Sequence, residues 1–203
     1  MLSEPAPTLS YRARNPVLAA PENAGCRVSM ETRVQGDDVA RFYTVYEAAF
    51  GPLRTRAVAR QVLHPEEFAE QMADERVWKF VLWDESGLPV GLTTLTRDLS
   101  TVPWISPEYF AARYPEHARR DAVYYWGFTL TSTKTRRQGF LLAMLTAVAE
   151  VVNADHGVCG YDICAYNNAT MQLGEQIQLL SRNLADVSFE VIDNQTYYCA
   201  TLS

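Results

Sequence analysis

Between Ala122 and Ala154 the chain changes its hydrophobic period once. AVYYWGFTLTS is dense in aromatic and β-branched residues and reads as one long strand, whereas FLLAMLTAVAEVVNA is apolar on nearly every side and reads as a helix packed on a sheet. Between them stands TKTRRQG, polar and basic, with a single glycine. A strand that feeds a short loop and then a buried helix belongs in a mixed α/β architecture, because such a helix must cover a sheet face.

That junction also has chemistry. The first turn of a helix leaves backbone N–H groups without partners and carries the positive end of the helix dipole, so the point they face attracts phosphate. Lys134, Arg136 and Arg137 add charge there, and Gly139, with no Cβ, lets the backbone approach a ligand closely.

The rest of the composition makes this basic cluster local. The 203 residues carry a formal net charge of −6, which argues against a general nucleic-acid surface. No apolar run reaches the length of a membrane span, and the first residues lack the apolar middle of a secretory signal, so a cytoplasmic chain is expected. At 48% hydrophobic the chain suits one domain, residues 26–203, behind a proline-bearing arm at 1–25. The four cysteines are scattered, and His156, Cys159 and Cys164 lack the paired spacing of a zinc site, so no metal is expected.

Periodicity supplies the remaining elements. CRVSMETRV alternates as a strand, and GDD opens an amphipathic helix through VARFYTVYEAAF. TRAVARQVL and EEFAEQMADE read as a second helical stretch, and WKFVLWDESGLPVGLTTLTRD as a hairpin. SPEYFAARY, capped by Ser106, is a short helix in an insertion. After the long strand and buried helix come a strand, VCGYDICAY, a helix capped by Asn167 or Asn168, and a closing hairpin in SFEVIDNQTYYCATL turned at Asp193 and Asn194. The expected order is strand, two helices, three strands, helix, strand, helix, two strands: seven strands in a mixed, mostly antiparallel sheet.

In this order, and in the run Arg136-Arg137-Gln138-Gly139-Phe140-Leu141, the span from Met30 to Ser203 resembles the GCN5-related N-acetyltransferase family, whose signature is R/Q-x-x-G-x-G/A. The first and fourth positions match, while Leu141 stands where the family has a small residue. The resemblance implies an acyl-CoA co-substrate, acetyl-CoA or a longer acyl-CoA. Its pantetheine arm would lie along Thr129, Leu130 and Thr131, where the fourth and fifth strands part at a bulge. Its pyrophosphate would meet the amides of Arg136, Arg137, Gln138, Gly139, Phe140, Leu141 and Leu142, and Asn167 would add a polar contact.

The implied reaction is direct acyl transfer to an amine, with positioning and deprotonation as the main contributions and no covalent nucleophile. The family's thiolate-protonating tyrosine is missing from the fourth helix, and Tyr166, just before it, is the substitute. For the base, Tyr125, Asp98 and Asp121 lie nearest the acceptor cleft. Trp104, Tyr109 and Phe110 in the insertion would form an aromatic lid. A small-molecule amine acceptor is expected, with no nucleic-acid or membrane partner, and a homodimer is compatible with the closing hairpin. Two other readings stay open: a CoA-binding or protein-interaction module without turnover, and an enzyme resembling N-acyl amino acid synthases that use acyl carrier protein, which Arg113, Arg119 and Arg120 would meet.

Overall fold

The computed structural model describes residues 8–9, 27–131, 138–182, 184 and 186–202. In chain order these form β1 (Thr8–Leu9), β2 (Arg27–Glu31), α1 (Asp37–Phe50), α2 (Pro65–Ala73), β3 (Val77–Trp83), β4 (Pro89–Thr96), α3 (Pro107–Arg113), α4 (Pro115–Arg119), β5 (Val123–Thr131), α5 (Gln138–Ala154), β6 (Val158–Gly160), α6 (Ala165–Met171) and α7 (Leu173–Arg182).

The strands make one sheet in the order β1-β2-β3-β4-β5-β6. All neighbours are antiparallel except β5 and β6, which run parallel. The β3–β4 hairpin is closed by Asp84, whose Oδ1 accepts from the amides of Ser86 and Leu88, and by Gly87 at φ +77°. β5 is parallel to β6 because the crossover through α5 returns the chain to the same end of the sheet.

Helix α5 explains its own sequence. Phe140, Ala143, Met144, Leu145, Ala147 and Val148 are buried against Val28, Phe80, Leu82, Leu95 and Trp126. The opposite sheet face carries α1 and α2, where Phe42, Tyr46, Phe68 and Met72 cover Val81, Leu92 and Leu130. A third, smaller cluster seats α3 through Phe110 on Val123 and Tyr125. Ser106 caps α3, its hydroxyl accepting from the Tyr109 amide at 3.2 Å, as the sequence predicts.

Four sequence expectations need correction. TRAVARQVL forms no helix: after a 3-10 turn at Gly51–Thr55 the chain runs irregularly to α2, pinned where the Tyr46 hydroxyl accepts from the Leu63 amide at 3.0 Å. VCGYDICAY pairs only over its first three residues. The following helix starts earlier than expected, at Ala165, and breaks at Gln172 (φ 50°). Neither Asn167 nor Asn168 caps it; the Asn168 side chain instead accepts from Gly174 N across the break at 3.1 Å. The closing hairpin does not form: residues 186–202 hold no strand, and most of their side chains face solvent. Among the described residues the sheet holds six strands, where seven were expected, and ends at β6. Residues Thr8 and Leu9 of the expected N-terminal arm pair with Ser29 and Val28 of β2.

Tyr124, only 1% exposed, donates its hydroxyl to the Asp155 carboxylate at the end of α5. Burial first, and then Asp155, push its pKa from 10.0 up to about 12. A folded-state pKa raised above the unfolded value gives stability that is complete below pH 10 and is lost as pH rises towards 12, on the order of 2 kcal/mol for this shift. Urea titrations of wild type and Tyr124→Phe across pH 9 to 12 are expected to show the alkaline loss reduced in the variant; equal losses would assign it elsewhere.

Candidate active site

β5 is the strand on which the site is built. Its pairing with β4 slips by one residue: Thr93 faces Thr129 and Leu95 faces Trp126, so Thr94 alone spans Gly127 and Phe128. This is a β-bulge, which bends β5 and turns its backbone away from the regular ladder. On the other side, β6 pairs only with Val123, Tyr124 and Tyr125. From Trp126 to Thr131 that side of β5 has no strand beside it among the described residues.

The bulge requires glycine. A Cβ on Gly127 would stand 2.3 Å from Thr94 Oγ1. The gap opens into a small cavity of about 10 Å³, room for roughly one water-sized group, lined by Gln71, Thr94, Trp104, Tyr125 and Gly127 among others. Two of its polar atoms, Gln71 Oε1 and Thr94 Oγ1, are buried and have no hydrogen-bond partner within the protein. A buried acceptor without a donor costs about 1–3 kcal/mol, so this arrangement suits an N–H-bearing group supplied from outside.

At the rim stands Asp162, in the turn between β6 and α6. Its Oδ1 accepts from the Tyr125 hydroxyl at 2.5 Å and from Trp104 Nε1 at 3.1 Å. Asp162 was not among the residues picked out by sequence reasoning; a carboxylate inside the apolar run VCGYDICAY was the available signal. Thr94 and Gln71 gave none, because a threonine in a strand and a glutamine on a helix are ordinary until α2 packs on the β4 face that carries Thr94.

The predicted catalytic residues separate. Tyr125 lines the cavity, but burial and then Asp162 push its hydroxyl pKa far up, so it keeps its proton and serves Asp162 as a donor, which does not suit a base. Asp98 is held below the usual carboxylate range, first by the Ser100 hydroxyl; its Oδ1 also caps the turn Leu99–Thr101 and its Oδ2 meets Arg76 at 3.4 Å. It is committed to that loop. Asp121 pairs with Arg97 at 3.3 Å and faces solvent. Tyr166, in the first turn of α6, packs against the α1/α2 cluster with the Arg56 guanidinium 5.1 Å over its ring.

Of the predicted cofactor contacts, Thr129 bonds Thr93 through the two hydroxyls at 2.7 Å, Leu130 is buried, and Thr131 ends β5 opposite Gly91. Arg136 and Arg137 lie outside the described residues, as does Lys134. Gln138 and Gly139 open α5, while Phe140, Leu141 and Leu142 turn their side chains into the protein, leaving only their backbone for a ligand. Leu141 packs on the core under α5, so its bulk is taken up inward rather than projected at the helix start. Asn167 sits half-buried in α6.

No protein-family model matches the chain, and no curated protein sequence does. Its fold, however, is similar to those of solved N-acetyltransferases. An aminoglycoside acetyltransferase from an uncultured soil metagenomic sample, solved with sisomicin, aligns at TM-score 0.49 and 11% identity over 88% of this chain and 99% of that one. The aminoglycoside 6'-N-acetyltransferase AAC(6')-Ih of Acinetobacter baumannii aligns at 0.47 and 8%, over 87% and 99%. The ribosomal-protein-S18-alanine N-acetyltransferase of Escherichia coli aligns at 0.44 and 15%, over 74% and 76%. At such identities the likeness is one of outline, and the chemistry is read from the cleft.

Proposed function

We propose that this chain is an N-acyltransferase that moves an acetyl or longer acyl group from acyl-CoA to a primary amine of a small molecule. The observation that carries the reading is the open side of β5 from Trp126 to Thr131, bulged at Gly127, with unpaired buried acceptors at Gln71 Oε1 and Thr94 Oγ1 beside it. A bound acyl thioester would supply the electrophilic carbonyl and the thiolate leaving group. The β5 backbone beyond Tyr125 fits an extended arm as a missing strand would, and the helix start at Gly139 fits a phosphate.

On the other side of β5, Gln71 Oε1 and Thr94 Oγ1 accept from the amine and fix its lone pair towards the acyl carbon. Asp162, oriented by Tyr125 and Trp104, takes the proton the ammonium must lose, directly or through one water. Trp104 stands at the mouth of the cavity, its indole N–H held by Asp162. The three insertion arginines are engaged within the chain, Arg113 with Glu190, Arg119 with Glu116 and Arg120 with the carbonyls of Asp155 and His156, which favours CoA over an acidic carrier protein as donor.

Thermal unfolding with acetyl-CoA and longer acyl-CoAs, followed by thiol release with a panel of primary amines, tests this. A raised midpoint with amine-dependent release is expected; a raised midpoint without release would identify a binding module, and no shift would remove the reading. Once an accepted amine is found, Asp162→Asn is expected to lower kcat about 100-fold, with acyl-CoA KM unchanged. An unaltered kcat would place the base elsewhere.

A further inference from the structure

The cavity beside Gly127 is small enough to select among amines. At about 10 Å³ it holds one water-sized group, and two buried oxygens without a partner in the protein, Gln71 Oε1 and Thr94 Oγ1, line it from α2 and from β4. Thr94 is 1% exposed, so bulk water does not serve its hydroxyl. An amine nitrogen matches both the space and the two acceptors. A primary amine that has lost its ammonium proton keeps two N–H donors and one lone pair. With one N–H on each oxygen, the lone pair and the carbon both point back towards the opening. A secondary amine has one N–H and leaves one of the oxygens bare.

The walls around this space are fixed. A Cβ on Gly127 would stand 2.3 Å from Thr94 Oγ1, so β5 already lies as close to Thr94 as a glycine permits. Trp104 is held by its indole N–H on Asp162 at 3.1 Å, and Tyr125 by its hydroxyl on the same carboxylate and by Phe110, whose ring meets it edge-on at a centroid separation of 6.3 Å. Neither aromatic can step back without giving up a hydrogen bond or a packed neighbour. Charge adds a second filter. No lysine or arginine lines the cavity, and the charged group that its lining residues bind is the Asp162 carboxylate, which repels an anion.

Building on the acyltransferase reading, we propose that the acceptor is a terminal, unbranched primary amine, an aminomethyl group at the end of a chain or on a ring. Amines branched at the carbon next to nitrogen are excluded, and so are the α-amines of amino acids, which are branched there and carry a carboxylate as well. One methylene is the narrowest connection from a nitrogen seated between Gln71 and Thr94 to the rest of the acceptor, which then lies outside the cavity against Trp104, 55% exposed. Gln71 sets the limit from the α2 side, and its amide is the wall that a substitution can remove without touching the sheet.

Thiol release from acyl-CoA is compared for a series of linear terminal amines and their α-branched isomers, n-butylamine and sec-butylamine in the simplest case, with alanine added. The two members of a pair differ little in basicity and apolar surface, so their ratio reports shape. The linear member is expected to have the higher kcat/KM by at least about 10-fold, and alanine to be poorer than either. Gln71→Ala is expected to slow the linear amine and to lower the ratio of the pair about threefold or more, with acyl-CoA KM and the thermal midpoint retained. Equal rates within the pairs, or a preference for the branched isomer or for alanine, would overturn the inference while keeping the acyltransferase reading. An unchanged ratio in Gln71→Ala would remove this cavity as its cause. Release with no amine at all would remove the acyltransferase reading itself, and this inference with it.

Discussion

Replacing Phe68 by alanine is expected to cost about 3–5 kcal/mol of folding free energy, the range for deleting a fully buried phenylalanine. Phe68 in α2 has no exposed surface and is ringed by Tyr43, Tyr46 and Phe128 at centroid separations of 5.4, 5.1 and 5.7 Å, the last nearly parallel to it. These neighbours come from α1 and β5, so the ring joins three elements at once, and no one of them can move inward to fill the space without losing its own packing. Against a typical total of about 5–15 kcal/mol, the loss takes a large part of the stability. Urea denaturation measures it; a difference below about 1 kcal/mol would mean that the site collapses easily and that α2 is not locked to the sheet.

The second large effect is on the site itself. In Gly127→Val the new Cβ would lie 2.3 Å from Thr94 Oγ1, about 1 Å inside normal contact, and Thr94 is only 1% exposed, with little room to withdraw. The β5 bulge must shift or the threonine must leave its rotamer. Either change moves the backbone proposed to hold the acyl donor relative to the acceptors proposed to hold the amine. Acyl transfer is expected to fall about 100-fold, with a stability cost of about 1–3 kcal/mol. The steady-state rate and a urea titration separate the two effects, and the double variant Gly127→Ala, Thr94→Ala is expected to recover stability without recovering amine affinity. Wild-type rates in Gly127→Val would remove the bulge from the proposed mechanism.

The parts of the fold legible in the sequence were those with strong local signals. The buried helix after the long strand, the β3–β4 hairpin with its Asp84 to Gly87 turn, and the Ser106 cap each follow from a period or a turn residue whose conformational preference needs no distant partner. TRAVARQVL shows the limit. Its spacing is helical, yet the Tyr46 hydroxyl, at the far end of α1, takes the Leu63 amide and Val58 stays exposed. A helix of that length is marginal unless a face is buried along its length, and here Val62 and Leu63, at its end, are the residues that pack on the α1/α2 cluster.

The candidate site was less legible. The open side of β5 was expected only through resemblance. Tyr125 drew attention as an aromatic at the right place, but the sequence did not carry the fact that Asp162 and burial fix its proton. Gln71 and Thr94, 23 positions apart, meet because Thr94 shares with Leu92 the face of β4 that α2 covers.

By itself the sequence determined the mixed α/β class and the order of the central elements, because periodicity, caps and turns act over a few residues. The tertiary structure decided where the sheet ends, where the closing segment lies, and which polar atoms face the cavity. Those outcomes depend on strand register and on contacts between distant segments, whose free energies are set by packing that no local pattern records.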